Sequence, residues 1–300
     1  MEKPRTYPGK LLLFGEYTTL LGSSALAMPL SGYSGHWQRD PDASAPALLD
    51  FCRFLQAQSW PLPLDTAGFE KALGEGLTYA SNIPIGYGLG SSGALCAAVW
   101  DRFGQPTTDL PLLRHLLARM ESFFHGSSSG SDPLVSYLHQ PVLFRGNRSV
   151  QPVSFAASTR ALLSWIYLLN TGYARQTAPL VDRFIERQKQ TAYRERLENE
   201  LRPLTEQAIR AFLDGSAPAV QRAARDLSRA QLKWLPDMIP ADLLPIWKEG
   251  IASGRYAVKL CGAGGGGFML VFFSGQSPPE TMQLGAFPLS PVRFNPPSDI

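Results

Sequence analysis

The 300-residue chain carries a formal net charge of +3, from 28 Lys and Arg against 25 Asp and Glu. With 44% hydrophobic and 18% charged residues it can bury cores, which excludes a disordered chain, and its length suits two domains. The basic residues are scattered, which argues against a nucleic-acid partner, while a mild positive excess suits an enzyme that handles anionic substrates.

The three cysteines, Cys52, Cys96 and Cys261, are widely spaced in apolar surroundings and have no zinc-ligand spacing. They read as buried thiols in a reducing compartment. The opening "MEKPRTYPGKLLLFGEY" lacks a signal-peptide core, and no apolar run reaches the ~18 residues of a membrane span. A cytoplasmic protein with no membrane partner is expected.

In chain order, "KLLLFGEYTTLLG" (10–22) predicts a strand and a turn, and "SALAMPLSGYSGHWQRD" (24–40) a pair of strands. Apolar spacing over 46–60 predicts an amphipathic helix. Short strands and a glycine loop follow over 69–93, then helices over 93–103 and 110–126, the latter capped by Gly126. "SDPLVSYLHQ" predicts a short helix with an acidic start, and "QPVLFRGNRSVQPVSF" a hairpin. A strand over 161–172, helical patterns over roughly 178–214 and 217–234, and a strand–glycine loop–strand in "RYAVKLCGAGGGGFMLVFFSG" complete the chain. These make an α+β protein of two mixed halves, 1–157 and 158–300.

Four segments carry candidate chemistry. Residues 88–93 fit G-x-G-x-x-G, but neither the acidic residue of a dinucleotide fold nor the lysine of a Walker A loop follows. The loop is either a tight turn or a phosphate cradle whose bare backbone N–H groups face a helix start. In "ESFFHGSSSGSD" (121–132) two carboxylates flank a glycine- and serine-rich turn. One could hold Mg²⁺ and the other accept a proton. A solvated helix face for Glu121, a structural role for His125 and an N-cap for Asp132 are the plain alternatives. The glycine run of "KLCGAGGGGFML" (259–270) requires close approach to its backbone or forms a wide bulge. Lys10, heading an apolar strand, is an edge charge or a buried functional cation.

Taken together, these segments resemble the GHMP kinase superfamily over nearly the whole chain. Pro8-Gly9-Lys10 through Gly15-Glu16-Tyr17, Pro84 through Gly93, and Lys259 through Gly267 are similar to its three motifs in order. Glu121, His125-Gly126, Ser129-Gly130 and Asp132 resemble the carboxylate segment of mevalonate kinases, and "NTGYARQT" (170–177) the segment whose threonine, here Thr177, lies near substrate. Tyr17 stands where mevalonate kinases usually have His, Phe268 where a cysteine is usual, and Ser128 where the turn usually has Pro.

The resemblance implies a two-domain fold, with a ribosomal-protein-S5-like N-terminal domain, a ferredoxin-like C-terminal domain and the active site in their cleft. It implies ATP and Mg²⁺, with a small-molecule acceptor: mevalonate first, then phosphomevalonate or a sugar. A catalytically silent metabolite-binding protein is the non-enzyme alternative. Asp132 and Lys10 would be catalytic. Gly86, Gly88, Leu89, Gly90, Ser91, Ser92 and Gly93 would bind ATP, with Ser92 and Glu121 holding the metal. Glu16, Tyr17, His125, Thr177, Gly262, Ala263, Gly264 and Gly265 would face the acceptor. A monomer or homodimer is expected.

Overall fold

The computed structural model describes residues 5–40, 45–146, 149–174, 177–275 and 282–294, with the backbone alone at 177 and 178. The first half runs β1 (Thr6–Phe14), β2 (Ser24–Arg39), α1 (Pro46–Gln56), α2 (Thr66–Gly74), β3 (Leu77–Ser81), α3 (Ser91–Phe103), α4 (Leu110–His125), α5 (Ser131–Leu138), β4 (Val142–Arg145) and β5 (Ser149–Pro152). The second runs α6 (Ala157–Leu162), β6 (Ile166–Asn170), α7 (Thr177–Arg187), α8 (Thr191–Arg196), α9 (Arg202–Leu213), α10 (Ala217–Trp234), α11 (Leu244–Ser253), β7 (Tyr256–Leu260), β8 (Phe268–Phe273), β9 (Gln283–Leu284) and β10 (Phe287–Pro291). Each half has its own five-stranded antiparallel sheet. The first is ordered β1-β2-β4-β5 with β3 also on β2, the second β7-β8-β6-β10-β9.

Period-2 geometry explains the apolar run of β1. Leu11 and Leu13, with Leu26 and Met28 of β2, enter the large core shared with the second half. There Phe14 packs 5.9 Å from both Phe212 and Phe272. Leu12, Ala25 and Ala27 face the other way, onto α1–α5 with Phe51, Trp100 and Leu116. A strand buried on both faces reads as continuous apolar sequence.

Several elements differ from the sequence reading. Residues 24–39 form one strand, because "SGYSG" is a bulge. Pairing jumps from Pro8↔Ser34 to Gly9↔Leu30, and the freed Ser31 N–H donates to the Arg293 carbonyl. Residues 66–74 are helix, not strand, started by Asp65, whose side chain accepts from the Gly68 N–H at 2.8 Å. The strand expected from 161 begins at Ile166, after α6 and a 3₁₀ turn. The long pattern over 178–214 divides into α7, α8 and α9, the last two joined by a π-helical turn at Leu197–Leu201. The three cysteines are buried and free. No helix among the described residues is long and apolar enough to cross a membrane.

The approach of α3 to α5 positions the site. A Cβ on Gly93 would lie 2.8 Å from Pro133 N and 2.9 Å from Asp132 Cβ, so only glycine permits this contact. Gly93→Ala is expected to cost about 1–3 kcal/mol through overpacking. A thermal melt with an unchanged midpoint would contradict the close packing.

Candidate active site

Lys10 shares the helix-facing side of β1 with Leu12. Its N–H donates to the Leu89 carbonyl at 2.8 Å, tying the strand to the glycine loop. Its Nζ lies 2.7 Å from Asp132 Oδ1. Lys10 is buried, so of the two readings of this lysine the structure selects the buried cation. Asp132 stands in the first turn of α5, after Gly130 at φ 69°. α3 begins after Gly90 at φ 71°. Neither N-cap residue, both glycines, supplies a side-chain cap; at α5 the Gly130 and Ser131 N–H groups donate to the Ser128 and Ser129 hydroxyls, whereas the uncapped start of α3 is an arrangement that favours an anion. The two starts meet: a Cβ on Gly90 would lie 3.2 Å from Asp132 Oδ2.

The preceding loop turns through Gly86 and Gly88, at φ 80° and 82°. Leu89 is buried, so it offers a ligand backbone only, and its carbonyl is already held by Lys10. Gly93 lies within α3 against α5, and its bareness serves that helix contact. Ser91 and Ser92 are the first residues of α3.

Ser92 joins this region to a buried carboxylate. Its Oγ donates to Glu121 Oε1 at 3.0 Å and lies 2.9 Å from His125 Nε2. With the hydroxyl proton given to Glu121, Ser92 accepts from His125, which makes Nε2 the protonated nitrogen. Ser128 Oγ donates to Glu121 Oε2 and accepts from the Gly130 N–H at 2.9 Å. Burial, then the Asp132 charge, pushes the Glu121 carboxyl up to about 7, against the pull of Ser128, Ser92 and Lys10.

These oxygens suit a magnesium ion that arrives with phosphates. No group of three or more His, Cys, Asp or Glu side chains among the described residues could cage a metal. Magnesium characteristically takes one or two carboxylates and completes its shell with phosphate oxygens and water. Glu121 and Ser92 fit that partial role.

Glu16 and Tyr17, expected to face the acceptor, lie in the seam between the two sheets. Glu16 Oε1 lies 2.5 Å from Lys259 Nζ, and Lys259 also donates to the Leu260 carbonyl at 2.7 Å. Burial pushes the Glu16 carboxyl up, while Lys259 first and Lys10 more weakly pull it back. Tyr17, at φ 60°, donates its hydroxyl to the Ala263 carbonyl at 2.6 Å and packs on Phe184. Gly262 (φ 85°) opens the third loop. The glycines after it are crowded by protein groups. A Cβ on Gly264 would lie 2.2 Å from Met238 O, on Gly265 2.5 Å from Leu180 Cδ1, and on Gly267 2.7 Å from Tyr87 O. The third loop thus abuts the glycine loop of the first half. Thr177 begins α7, and its side chain lies outside the described residues.

Lys10, Asp132, Ser92, Glu121 and His125 therefore form one neighbourhood, while Glu16, Tyr17 and Ala263 form the seam beside it. Sequence reasoning missed the roles of Lys259 and Ser128. A lone lysine in "YAVKL" was the available signal for the first. For the second it was the serine in place of proline.

Two outcomes follow from this electrostatics. Because the Glu121 carboxyl lies near 7 when folded and at its ordinary 4.5 when unfolded, the folded protein binds the extra proton. That stability is fully present below 4.5 and is lost as pH rises to about 7. Glu121→Gln is expected to raise the metal-free melting midpoint by about 5 °C at pH 8 and to leave it unchanged at pH 4.5. Equal shifts at both pH values would contradict this. Lys259→Met leaves Glu16 buried without its partner, at a cost of about 3–5 kcal/mol. The double variant Glu16→Gln/Lys259→Met is expected to recover part of the loss in denaturant titrations.

Residues 56–140, which contain the glycine loop, Glu121 and Asp132, match the family model of the GHMP kinases N terminal domain. A mevalonate kinase of Pyrococcus abyssi (strain GE5 / Orsay) is 30% identical over 160 residues, 43% of this chain. The match spans about half the length of that relative, 47%. Among solved structures, L. major mevalonate kinase in complex with R-mevalonate superposes with a TM-score of 0.63 at 18% identity, covering 92% of this chain and 88% of that one. Streptococcus pneumoniae phosphomevalonate kinase in complex with phosphomevalonate and AMPPNP gives 0.63 at 15%, covering 92% and 93%. The equal scores set the fold without separating acceptors. Residues 56–140 are thus similar to the N-terminal domain of the GHMP kinases across the glycine loop and both carboxylates, and the chain as a whole shares the fold of the two solved kinases.

Proposed function

We propose that this protein is an ATP- and Mg²⁺-dependent kinase that phosphorylates a hydroxyl of a small metabolite, with mevalonate, giving 5-phosphomevalonate, as first acceptor. The observation that carries this reading is the Lys10–Asp132 pair, 2.7 Å apart at the meeting of two helix starts. Phosphoryl transfer needs positioning and charge neutralisation more than covalent help. N–H groups of loop 86–90 and of the α3 start would hold the ATP phosphates. Glu121 and Ser92 would hold Mg²⁺, which when bound neutralises phosphate charge. Asp132 takes the proton of the acceptor hydroxyl as its oxygen bonds to the γ-phosphorus and the bond to the ADP oxygen breaks. Lys10 holds Asp132 Oδ1 and offsets charge on the attacking oxygen.

Mevalonate ranks first because the segment from Glu121 through His125-Gly126 to Asp132 is similar to that of mevalonate kinases, and because the Pyrococcus relative carries that name. Phosphomevalonate and sugar kinases are the second reading. A phosphorylated acceptor calls for extra cations. Arg145, Arg148 and Arg175 are the arginines considered for that role: Arg145 is exposed at the end of β4 opposite Ser24, while Arg148 and Arg175 lie outside the described residues. A silent metabolite-binding protein is expected to lose Lys10, Glu121 or Asp132, and all three are present. The reading also includes a lobe boundary at 157/158, S5-like and ferredoxin-like domains flanking an active-site cleft, a cytoplasmic location, and a monomer or homodimer.

Asp132→Asn is expected to retain nucleotide affinity and to cut turnover by about 10²-fold or more. The assay is ATP turnover with Mg²⁺ against mevalonate, phosphomevalonate, galactose, homoserine and heptose phosphates. A variant with near-wild-type turnover on its best acceptor would refute the base. Turnover on a sugar and none on mevalonate would replace the acceptor.

A further inference from the structure

We propose that Ser128 is a positioning residue that locks the Glu121 carboxylate into its metal-holding orientation and couples it to the helix carrying Asp132. The inference rests on the phosphotransfer reading above. Ser128 Oγ does two things at once: it donates to Glu121 Oε2 and accepts from the Gly130 N–H at 2.9 Å. Gly130 is the residue before α5, and Asp132 lies two positions further on. One hydroxyl therefore connects the metal carboxylate to the backbone that presents the base.

The other Glu121 oxygen is held by Ser92 at 3.0 Å. The two serines grip the carboxylate from opposite oxygens, and Ser92 alone would leave it free to turn about that single bond. The Gly130 backbone is closely packed against α4. A Cβ there would lie 2.2 Å from the Arg114 carbonyl, and Arg114 Nε donates to the neighbouring Ser129 carbonyl at 2.8 Å. The turn is pinned on one side by α4 and on the other by Ser128. A proline at 128, as in the family pattern, has no hydroxyl, so this chain orients Glu121 by a relay of its own. Partners that orient a metal-holding side chain characteristically change metal affinity by about 10–100-fold when removed.

The test compares Ser128→Ala and Ser128→Thr with the wild type by calorimetric titration of AMPPNP, with and without Mg²⁺, alongside thermal melts. Hydrogen exchange of the metal-free proteins adds a readout that needs no loaded enzyme. The expected result is a loss of about 10-fold or more in the Mg²⁺-dependent part of nucleotide affinity for Ser128→Ala. Metal-free affinity stays unchanged, the Gly130 amide exchanges faster, and Ser128→Thr recovers to within about threefold, since threonine keeps the hydroxyl at this half-buried position. If Ser128→Ala keeps the Mg²⁺-dependent affinity to within about twofold, the proposal is overturned while the kinase reading stands. If Ser128→Ala loses stability, Ser128→Thr decides: equal weakening of both variants overturns the proposal, and recovery by the hydroxyl supports it. A wild type whose AMPPNP affinity ignores Mg²⁺ overturns both the proposal and the reading beneath it.

Discussion

The constraint on which the site depends is the burial of one ammonium group. Taking the Lys10 charge out of water costs several kcal/mol unless a close anion compensates, and Asp132 at 2.7 Å is that anion. To bring a residue of α5 to the floor of β1, the starts of α3 and α5 must nearly touch, which requires Gly90 and Gly93 to be bare. The same requirement presses Gly130 against α4 and draws the Leu89 carbonyl onto the Lys10 N–H. What reads in sequence as a phosphate motif is in part the consequence of seating a lysine. The uncapped start of α3 beside it follows from the same packing.

That packing extends into the second sheet through alternating charge. Lys259 is paired to Glu16, Glu16 also feels Lys10, and Lys10 is paired to Asp132. Tyr17 and Ala263 hold the next residues together, and Glu206 of α9 accepts from the Ser24 N–H at 2.6 Å and the Ser23 hydroxyl at 3.0 Å. The relative placement of the two sheets and the electrostatic surroundings of Asp132 are therefore one arrangement. A buried pair contributes little net stability compared with apolar residues of equal size. Its presence here is consistent with a role in registering one half on the other.

Much of this was legible before any coordinates. The strand at "KLLLF", the helix after the glycine loop and the spacing of Glu121 and Asp132 follow from periodicity and motif order, which local sequence carries. Misread elements share one cause, a local signal with two structural uses. "SGYSG" suits a turn, yet it became a bulge because β2 keeps pairing on both sides of it. "TAGFEKALG" lacks a strong apolar stripe, and Asp65 decided for helix by capping Gly68. The glycine run at 264–267 announced a close approach correctly, but the approaching groups include Met238, Leu180 and Tyr87. Pairings such as Glu16 with Lys259 join residues 243 positions apart. No window of sequence contains both.

The two carboxylates also show how one neighbourhood places similar groups in different surroundings. Glu121 is 4% exposed, and both its oxygens accept from serines. Anchored in this way, it is suited to hold a cation in a fixed place and poorly suited to receive a proton from a moving substrate. Asp132 is 28% exposed at its side chain, and Lys10 engages only Oδ1. Among the described residues its Oδ2 has no protein donor, and it points toward the bare backbone of Gly90, where reacting groups could enter. The Asp132 charge raises the Glu121 carboxyl, and Lys10 lies close enough to both to moderate that repulsion. The difference between the two carboxylates thus lies in which of their oxygens the fold leaves free.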